Sequence, residues 1–341
     1  MSETLAEIGE FGLIDRIDKI VRRQGIQTAA LNLGIGDDCA SFRPRAGFEV
    51  LVTCDCIVEG RHYLPDHITP LDLGRRSMTL NISDIGAMGG TPLYALVSLG
   101  LRSETPVTYV EALYHGFLEE LNPLGAVIIG GNVTKSQGGI FIDITLIGEV
   151  EKDMMVRRST AQAGDSILVT GYPGMSAAGL LLLCQTPSGK DLRDNPLVRA
   201  YNTPCHRARE GQAIARSGYA TAMIDTSDGL LGDLGHVCQE SGVGAVLFQK
   251  NLPVNEALQQ IAPTLGKDPY ELILGDSDDY ELMITCPPGH VDRIRSAVSS
   301  ISDVPVSEVG CITDATGGVK LMLPDETQRE IVPSGWDHFS K

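Results

Sequence analysis

The sequence predicts an α/β protein of two domains, and three observations predict it. At 341 residues the chain is longer than one ordinary domain needs. Short apolar runs alternate with helix-spaced segments along its whole length. Glycines are many, at 38, and aromatics are only 5% of residues, which favours tight turns between layers over an aromatic-rich β-sandwich. A hydrophobic share of 43% is ordinary for a chain that buries a core.

The elements follow in order. Residues 13–23 have helical spacing. An apolar strand at 49–53 runs straight into Cys54-Asp55. Pro70 opens a helix that continues to Met88, where Gly89-Gly90 ends it. A strand at 93–99 precedes a helix at 107–121 that begins after Thr105-Pro106. Strands at 126–129 and 140–150 flank a loop, 130–136, built on Gly130-Gly131. The polar stretch 151–163 carries Arg157-Arg158 and marks a change of character, so the domains are set at 1–150 and 151–341. Beyond it the pattern gives a strand at 166–170, a loop at 171–174 and a helix at 176–184. A turn-rich loop at 185–196, a helix at 206–216, a strand at 222–224 and a helix at 230–241 come next. The remainder alternates strand and helix through Val246, Ala257, Leu282, Val291 and Val309.

The formal net charge of −17 argues against a nucleic-acid partner, because a polyanion is bound through a basic footprint. It leaves room for a phosphorylated small molecule, since carboxylates can recruit Mg²⁺ and the metal then inverts the local field. The eight cysteines are scattered, without Cys-x-x-Cys spacing, so no zinc site is expected. Several, such as Cys184 after Leu181-Leu182-Leu183, read as small core residues. Met1-Ser2-Glu3-Thr4 lacks the basic start of a signal peptide, and no apolar run reaches the ~18 residues that span a bilayer. A cytoplasmic protein with no membrane partner is the expectation.

Five short acidic segments carry the chemistry: Gly34-Ile35-Gly36-Asp37-Asp38, Thr53-Cys54-Asp55, Asn81-Ile82-Ser83-Asp84, Asp225-Thr226-Ser227-Asp228-Gly229 and Asp276-Ser277-Asp278-Asp279-Tyr280-Glu281. Each reads as following or ending a strand or helix, with small residues beside the carboxylates. Mg²⁺ takes hard oxygen ligands and bridges carboxylates to substrate phosphates, so acids converging from several turns suit it. Asp and Ser beside Gly are also common turn and cap residues, and Asp228 alone fits a cap for the helix opening at Leu230. Gly130-Gly131 lets backbone N–H groups approach phosphate oxygens. Arg158 is a candidate phosphate clamp, His62 follows Asp55 closely, and Trp336, the one tryptophan, offers a flat platform for a heterocycle. The chain has no P-loop, no protein-kinase signature and no nucleophile elbow.

Gly34-Ile35-Gly36-Asp37-Asp38-Cys39-Ala40, Asn81 to Gly89, Asp225-Thr226-Ser227-Asp228-Gly229-Leu230 and Asp279-Tyr280-Glu281-Leu282 together resemble the thiamine-monophosphate kinase family. That family stands within the group of aminoimidazole ribonucleotide synthetase, selenophosphate synthetase and a hydrogenase maturation factor. The resemblance runs from Gly9-Glu10-Phe11 to Gly335-Trp336-Asp337-His338-Phe339. It implies an aminoimidazole ribonucleotide synthetase-like fold: an N-terminal α/β domain whose sheet pairs with that of a second subunit in a homodimer, and a C-terminal α/β domain. It implies Mg²⁺ held by Asp38, Thr53, Cys54, Asp55, Asp84, Asn132, Asp225 and Asp228. ATP would be met by Gly131, Asn132, Arg158 and Ser227, and thiamine monophosphate by His62, Asp278 and Trp336.

Three positions depart from the family pattern. Asn132 stands where an acidic metal ligand is usual, Cys54 where a hydroxyl residue is, and Asp278 where a longer Glu is. The implied reaction is direct phosphoryl transfer from ATP to thiamine monophosphate, giving thiamine diphosphate. The acceptor oxygen is already anionic at neutral pH, so no acid–base dyad is needed. The departures keep two alternatives open: a related ATP-using enzyme with another acceptor, and a nucleotide-binding paralogue with weak catalysis.

Overall fold

Alternation of apolar and polar residues decides which face is buried in the strands of the first half, and it positions Thr53 and Asp55. The computed structural model describes residues 3–23, 30–35, 39–186, 191–314 and 318–333. They form two compact units: Met1–Ile85 with Gly90–Asp153, and Gly86–Gly89 with Met154–Lys341.

The first unit holds α1 (Leu5–Arg22), β1 (Leu31–Leu33), β2 (Ser41–Phe42), β3 (Phe48–Val58), most of α2 (Pro70–Ala87), β4 (Thr91–Leu101), α3 (Val107–Leu121), β5 (Val127–Lys135) and β6 (Phe141–Glu151). Its four-stranded sheet has the order β3-β6-β4-β5, antiparallel except for the parallel β4–β5 pair. In β6, Ile142, Ile144 and Leu146 are buried while Phe141, Asp143, Thr145 and Ile147 on the other face are half-open. The covered face makes the core with Leu73, Met78 and Ile82 of α2 and Val110, Leu113 and Phe117 of α3. The other face leaves Val50, Val52 and Val58 of the edge strand exposed, Val52 by 65%.

The second unit holds β7 (Ser166–Thr170), α4 (Met175–Gln185), α5 (Pro196–Asn202), α6 (Ala208–Ser217), β8 (Ala222–Asp225), α7 (Leu230–Ser241), β9 (Val243–Phe248), α8 (Glu256–Ile261), α9 (Pro269–Leu274), β10 (Leu282–Cys286), α10 (Val291–Ser299), β11 (Val306–Asp314), β12 (Val319–Met322) and β13 (Gln328–Glu330). The seven-stranded sheet runs β13-β12-β9-β11-β7-β10-β8. Ile167, Val169 and Met283 face a core shared with α4, α7, α8 and α9, while Leu168 and Ile284 face α6 and α10. Because β10 is antiparallel to both neighbours, its first residue, Leu282, lies beside the last residues of β7 and β8. One edge of this sheet therefore gathers three loops: 171–174, 226–229 and 275–281.

Several expectations are corrected. The first helix starts at Leu5, because Thr4 and Glu7 form a capping box whose Thr4 N–H donates to Glu7 at 2.7 Å; a kink at Gly9 (φ 68°) hides the helical period. Thr53-Cys54-Asp55 is strand interior and not a strand's end, while Asn81 to Asp84 lies inside a helix, as the pattern from Pro70 to Met88 predicts. Gly130-Gly131 is not a loop but part of β5, which pairs with β4 through Lys135. Cys184 is exposed, whereas Cys238 and Cys286 are the buried cysteines. Residues 187–190 of the expected turn-rich loop lie outside the described residues. Among the described residues no helix is long and apolar enough to cross a membrane.

Helices α2 and α3 approach through glycines. A Cβ on Gly116 would sit 2.1 Å from the Leu71 carbonyl oxygen, and one on Gly74 would sit 2.2 Å from that of Leu113. Helix propensity alone would make Gly116→Ala stabilising by roughly 0.5–1 kcal/mol. Overpacking against a rigid backbone costs about 1–3 kcal/mol, so the clash wins. Gly116→Ala is therefore expected to lower stability in urea unfolding; an unchanged or higher midpoint would contradict this packing.

Candidate functional site

In the first unit a strand and a helix bring four polar residues together. Thr53 and Asp55 share the covered face of β3, two residues apart. Asn81 and Asp84 lie three apart on α2 and so project to one side. The Thr53 hydroxyl donates to the Asp84 carboxylate, and the Asp55 N–H donates to Asn81 Oδ1 at 3.2 Å. Cys54, expected among them, projects to the opposite face. There its thiol donates to Asp143 at 3.3 Å and accepts from the Thr145 hydroxyl at 3.5 Å. The Thr145 bond favours the thiolate, but burial and the Asp143 and Asp55 carboxylates outweigh it and push the thiol up.

Gly131 must be glycine, since a Cβ there would lie 1.9 Å from the Val97 carbonyl oxygen. It and Asn132 line a cavity of about 700 Å³ with Glu10, Ser98, Tyr114 and Thr145. His62 lies in the turn after β3, and its Nδ1 accepts the Val58 N–H at 2.9 Å. That turn is tied down by Glu59, whose carboxylate accepts from Arg102 at 2.9 and 3.1 Å and from the Ile140 N–H at 2.9 Å. Asp38 and Trp336 lie outside the described residues.

The second unit concentrates acids at the gathered loops. Asp225 ends β8 and is 5% exposed; Asp228 follows in the turn to α7. Gly229, not Asp228, takes the N-cap position, and the Asp228 N–H instead donates to Asp233 Oδ2 at 3.1 Å. Asp228, Asp233 and His236 offer ligand atoms that all lie within 4.8 Å of one another. Burial first, then the Asp225 and Asp228 carboxylates, push Asp233 up to about 8, against the N–H bonds it receives from Asp228 and Ser227. Burial and the two neighbouring carboxylates disfavour the charged form of Asp233, and a bound cation would favour it. The residues thus fit a divalent ion with oxygen ligands.

The third loop is structural as well as acidic. Asp279 accepts N–H bonds from Gly174 at 2.6 Å and Ser176 at 2.9 Å, and the Ser277 hydroxyl at 2.5 Å, so it caps α4 from outside. Burial pushes it up to about 6 despite those donors. Asp278 accepts the Ser176 hydroxyl. Glu281, 5% exposed, receives Arg207 through two bonds of 2.5 and 2.6 Å and the Thr170 hydroxyl at 2.6 Å. Burial works against the Arg207 charge, but Glu281 outweighs it and holds the guanidinium above its ordinary value. Arg158 is exposed, and its carbonyl accepts from Ser241 Oγ at 2.9 Å.

Sequence reasoning missed Asp233, His236 and Arg207. Asp233 and His236 are three apart in the helix directly after Asp228-Gly229, a legible signal. Arg207 is far from Glu281 in sequence, and nothing local pairs them.

The chain matches two family models, the AIR synthase related protein N-terminal domain over residues 36–150 and the C-terminal domain over 162–321. It is 33% identical to a thiamine-monophosphate kinase of Aquifex aeolicus over 98% of this chain and 99% of the relative. A thiamine-monophosphate kinase structure from Stenotrophomonas maltophilia superposes with a TM-score of 0.81 at 32% identity, covering 92% of this chain and 96% of that one. A structure described as AaThiL complexed with AMPPCP and TMP gives 0.75 at 33% identity over 99% and 100%.

Asp233 makes stability pH-dependent in a definite direction. Its unfolded form loses the proton near the ordinary value of 3.8, while the folded form keeps it to about 8. Metal-free protein should therefore lose stability as pH rises through that window and level off above it. Asp233→Asn should flatten that fall and exceed the wild-type melting temperature most at about pH 8, measured by thermal unfolding in EDTA. Parallel pH profiles for the two proteins would contradict the crowding.

Proposed function

The chain belongs to the thiamine-monophosphate kinase family, and on that premise we propose that it transfers the γ-phosphoryl group of ATP to the phosphate of thiamine monophosphate, giving thiamine diphosphate. The observation within the chain that carries the reading is the convergence of Asp228, Asp233 and His236, whose ligand atoms lie within 4.8 Å of one another. Phosphoryl transfer asks a protein mainly for alignment and charge neutralisation. Magnesium, when bound, supplies that neutralisation between carboxylates and phosphate oxygens.

We assign the metal-holding role to Asp38, Thr53, Asp55, Asp84, Asn132, Asp225 and Asp228, joined by Asp233. Cys54 shares the open face of the sheet with Asn132, and it drops out because a thiol is a poor partner for a hard cation. Asn132 offers an amide oxygen where the family resemblance implies a carboxylate, so this set would hold one negative charge fewer. Gly131, Asn132, Arg158 and Ser227 would receive ATP. Gly131 and Asn132 suit that role because both line the same cavity. His62, Asp278 and Trp336 would meet thiamine monophosphate. The Nδ1 of His62 is engaged by the Val58 N–H, which fixes the ring in the turn after β3. The acceptor phosphate is anionic at neutral pH, so these residues orient it and need not take a proton from it.

The exposed Val50, Val52 and Val58 on the open face of the first-unit sheet support a homodimer formed through that sheet. The eight cysteines form no disulfide, which supports a reducing cytoplasm as the place of action.

A coupled ADP-release assay tests the activity: thiamine monophosphate should stimulate ADP formation, and ATP turnover indifferent to it would overturn the proposal. In the same assay Asp84→Ala and Asp228→Ala are each expected to lower kcat by roughly 10²–10³-fold with circular dichroism unchanged. Near-wild-type turnover in either would remove that residue from the metal set.

A further inference from the structure

Between Asp225 and Asp228 the chain has to turn while keeping two carboxylates at a fixed spacing. Thr226 makes that turn, and it is fully buried. All three of its hydrogen bonds run to the 280–281 segment. The Thr226 N–H donates to the Glu281 carbonyl at 2.7 Å, its carbonyl accepts the Tyr280 N–H at 2.9 Å, and its hydroxyl accepts the Glu281 N–H at 3.1 Å. The backbone of Glu281 is thus the template on which the metal loop is laid down.

What fixes Glu281 is its own side chain. The carboxylate is gripped by the Arg207 guanidinium and by the Thr170 hydroxyl, and Thr170 Oγ1 in turn accepts the Leu282 N–H at 2.8 Å. Gly171 makes room for it: a Cβ there would stand 1.9 Å from Glu281 Oε1. Gly229 closes the other side, where a Cβ would meet the Gly275 carbonyl oxygen at 2.3 Å. A buried ion pair is weak evidence for stability, because well-packed apolar residues often do as well. A two-pronged guanidinium–carboxylate pair does fix direction. We infer that Arg207 and Glu281 are positioning residues whose ion pair sets the spacing of Asp225 and Asp228 through Thr226, and thereby the affinity of this loop for a divalent cation. This rests on the metal role given to the loop under the proposed function, though not on thiamine monophosphate being the acceptor.

The test is titration of magnesium chloride alone into metal-free protein, followed by calorimetry. Residues that orient metal ligands without touching the metal change affinity by about 10–100-fold, so Glu281→Gln should raise the magnesium Kd about tenfold. Arg207→Lys, which keeps the charge but loses the fork, should raise it by a smaller factor of about three, a fraction of that range. Ile312→Ala, a core truncation in β11, serves as the stability control: it should lower the melting temperature yet keep the wild-type Kd. A wild-type Kd in both Glu281→Gln and Arg207→Lys would overturn the inference, and so would an equal weakening in Ile312→Ala. Failure of the wild type to form thiamine diphosphate would sink the functional reading and leave the magnesium titration to decide this one.

Discussion

Carboxylates that must stand together repel one another, and most of the second unit can be read as the means of holding them there. Asp225, Asp228 and Asp233 meet where β8 gives way to α7, and burial first, then the charges of Asp225 and Asp228, push Asp233 up to about 8. Three loops are drawn to the same sheet edge because β10 runs antiparallel between β7 and β8. They interlock so closely that glycine is required at 171 and 229. Asp279 and Glu281 fasten one of these loops, 275–281, at two points, to the start of α4 and to Arg207. Losing one partner of that buried pair would leave a stranded charge at a cost of roughly 3–5 kcal/mol.

The first unit solves a smaller version of the same problem differently. Its polar group is assembled from a strand interior and a helix interior, with Thr53 bonded to Asp84 and Asp55 to Asn81. Regular elements hold side chains more rigidly than loops do, so no glycine-locked turn is needed there. The same regularity has a consequence for Cys54. With a period of two, a residue between Thr53 and Asp55 has to face the other way.

Much of this was legible in the sequence where local rules decide. The strand at Ser166–Thr170 and the helices at Val107–Leu121 and Leu230–Ser241 were read to the residue, because turn residues and proline punctuate them. The fold class and family were legible from the acidic segments taken together. Thr53-Cys54-Asp55 was misread as the end of a strand, since an Asp inside a strand looks locally like an Asp in a loop. Gly130-Gly131 was misread for the opposite reason: glycine there permits close passage of β4 at Val97 and does not break the strand. The Arg207–Glu281 pair was invisible, because 74 residues separate its members and only the tertiary fold joins them.

The central claim is that these carboxylates serve direct transfer between two phosphates. Phosphorus NMR of a mixture of the protein, ATP, thiamine monophosphate and magnesium chloride tests it most directly. The account predicts that the thiamine monophosphate singlet gives way to the paired doublets of thiamine diphosphate, matched by ADP and without inorganic phosphate. ADP appearing with inorganic phosphate, while the thiamine monophosphate signal stays unchanged, would contradict it.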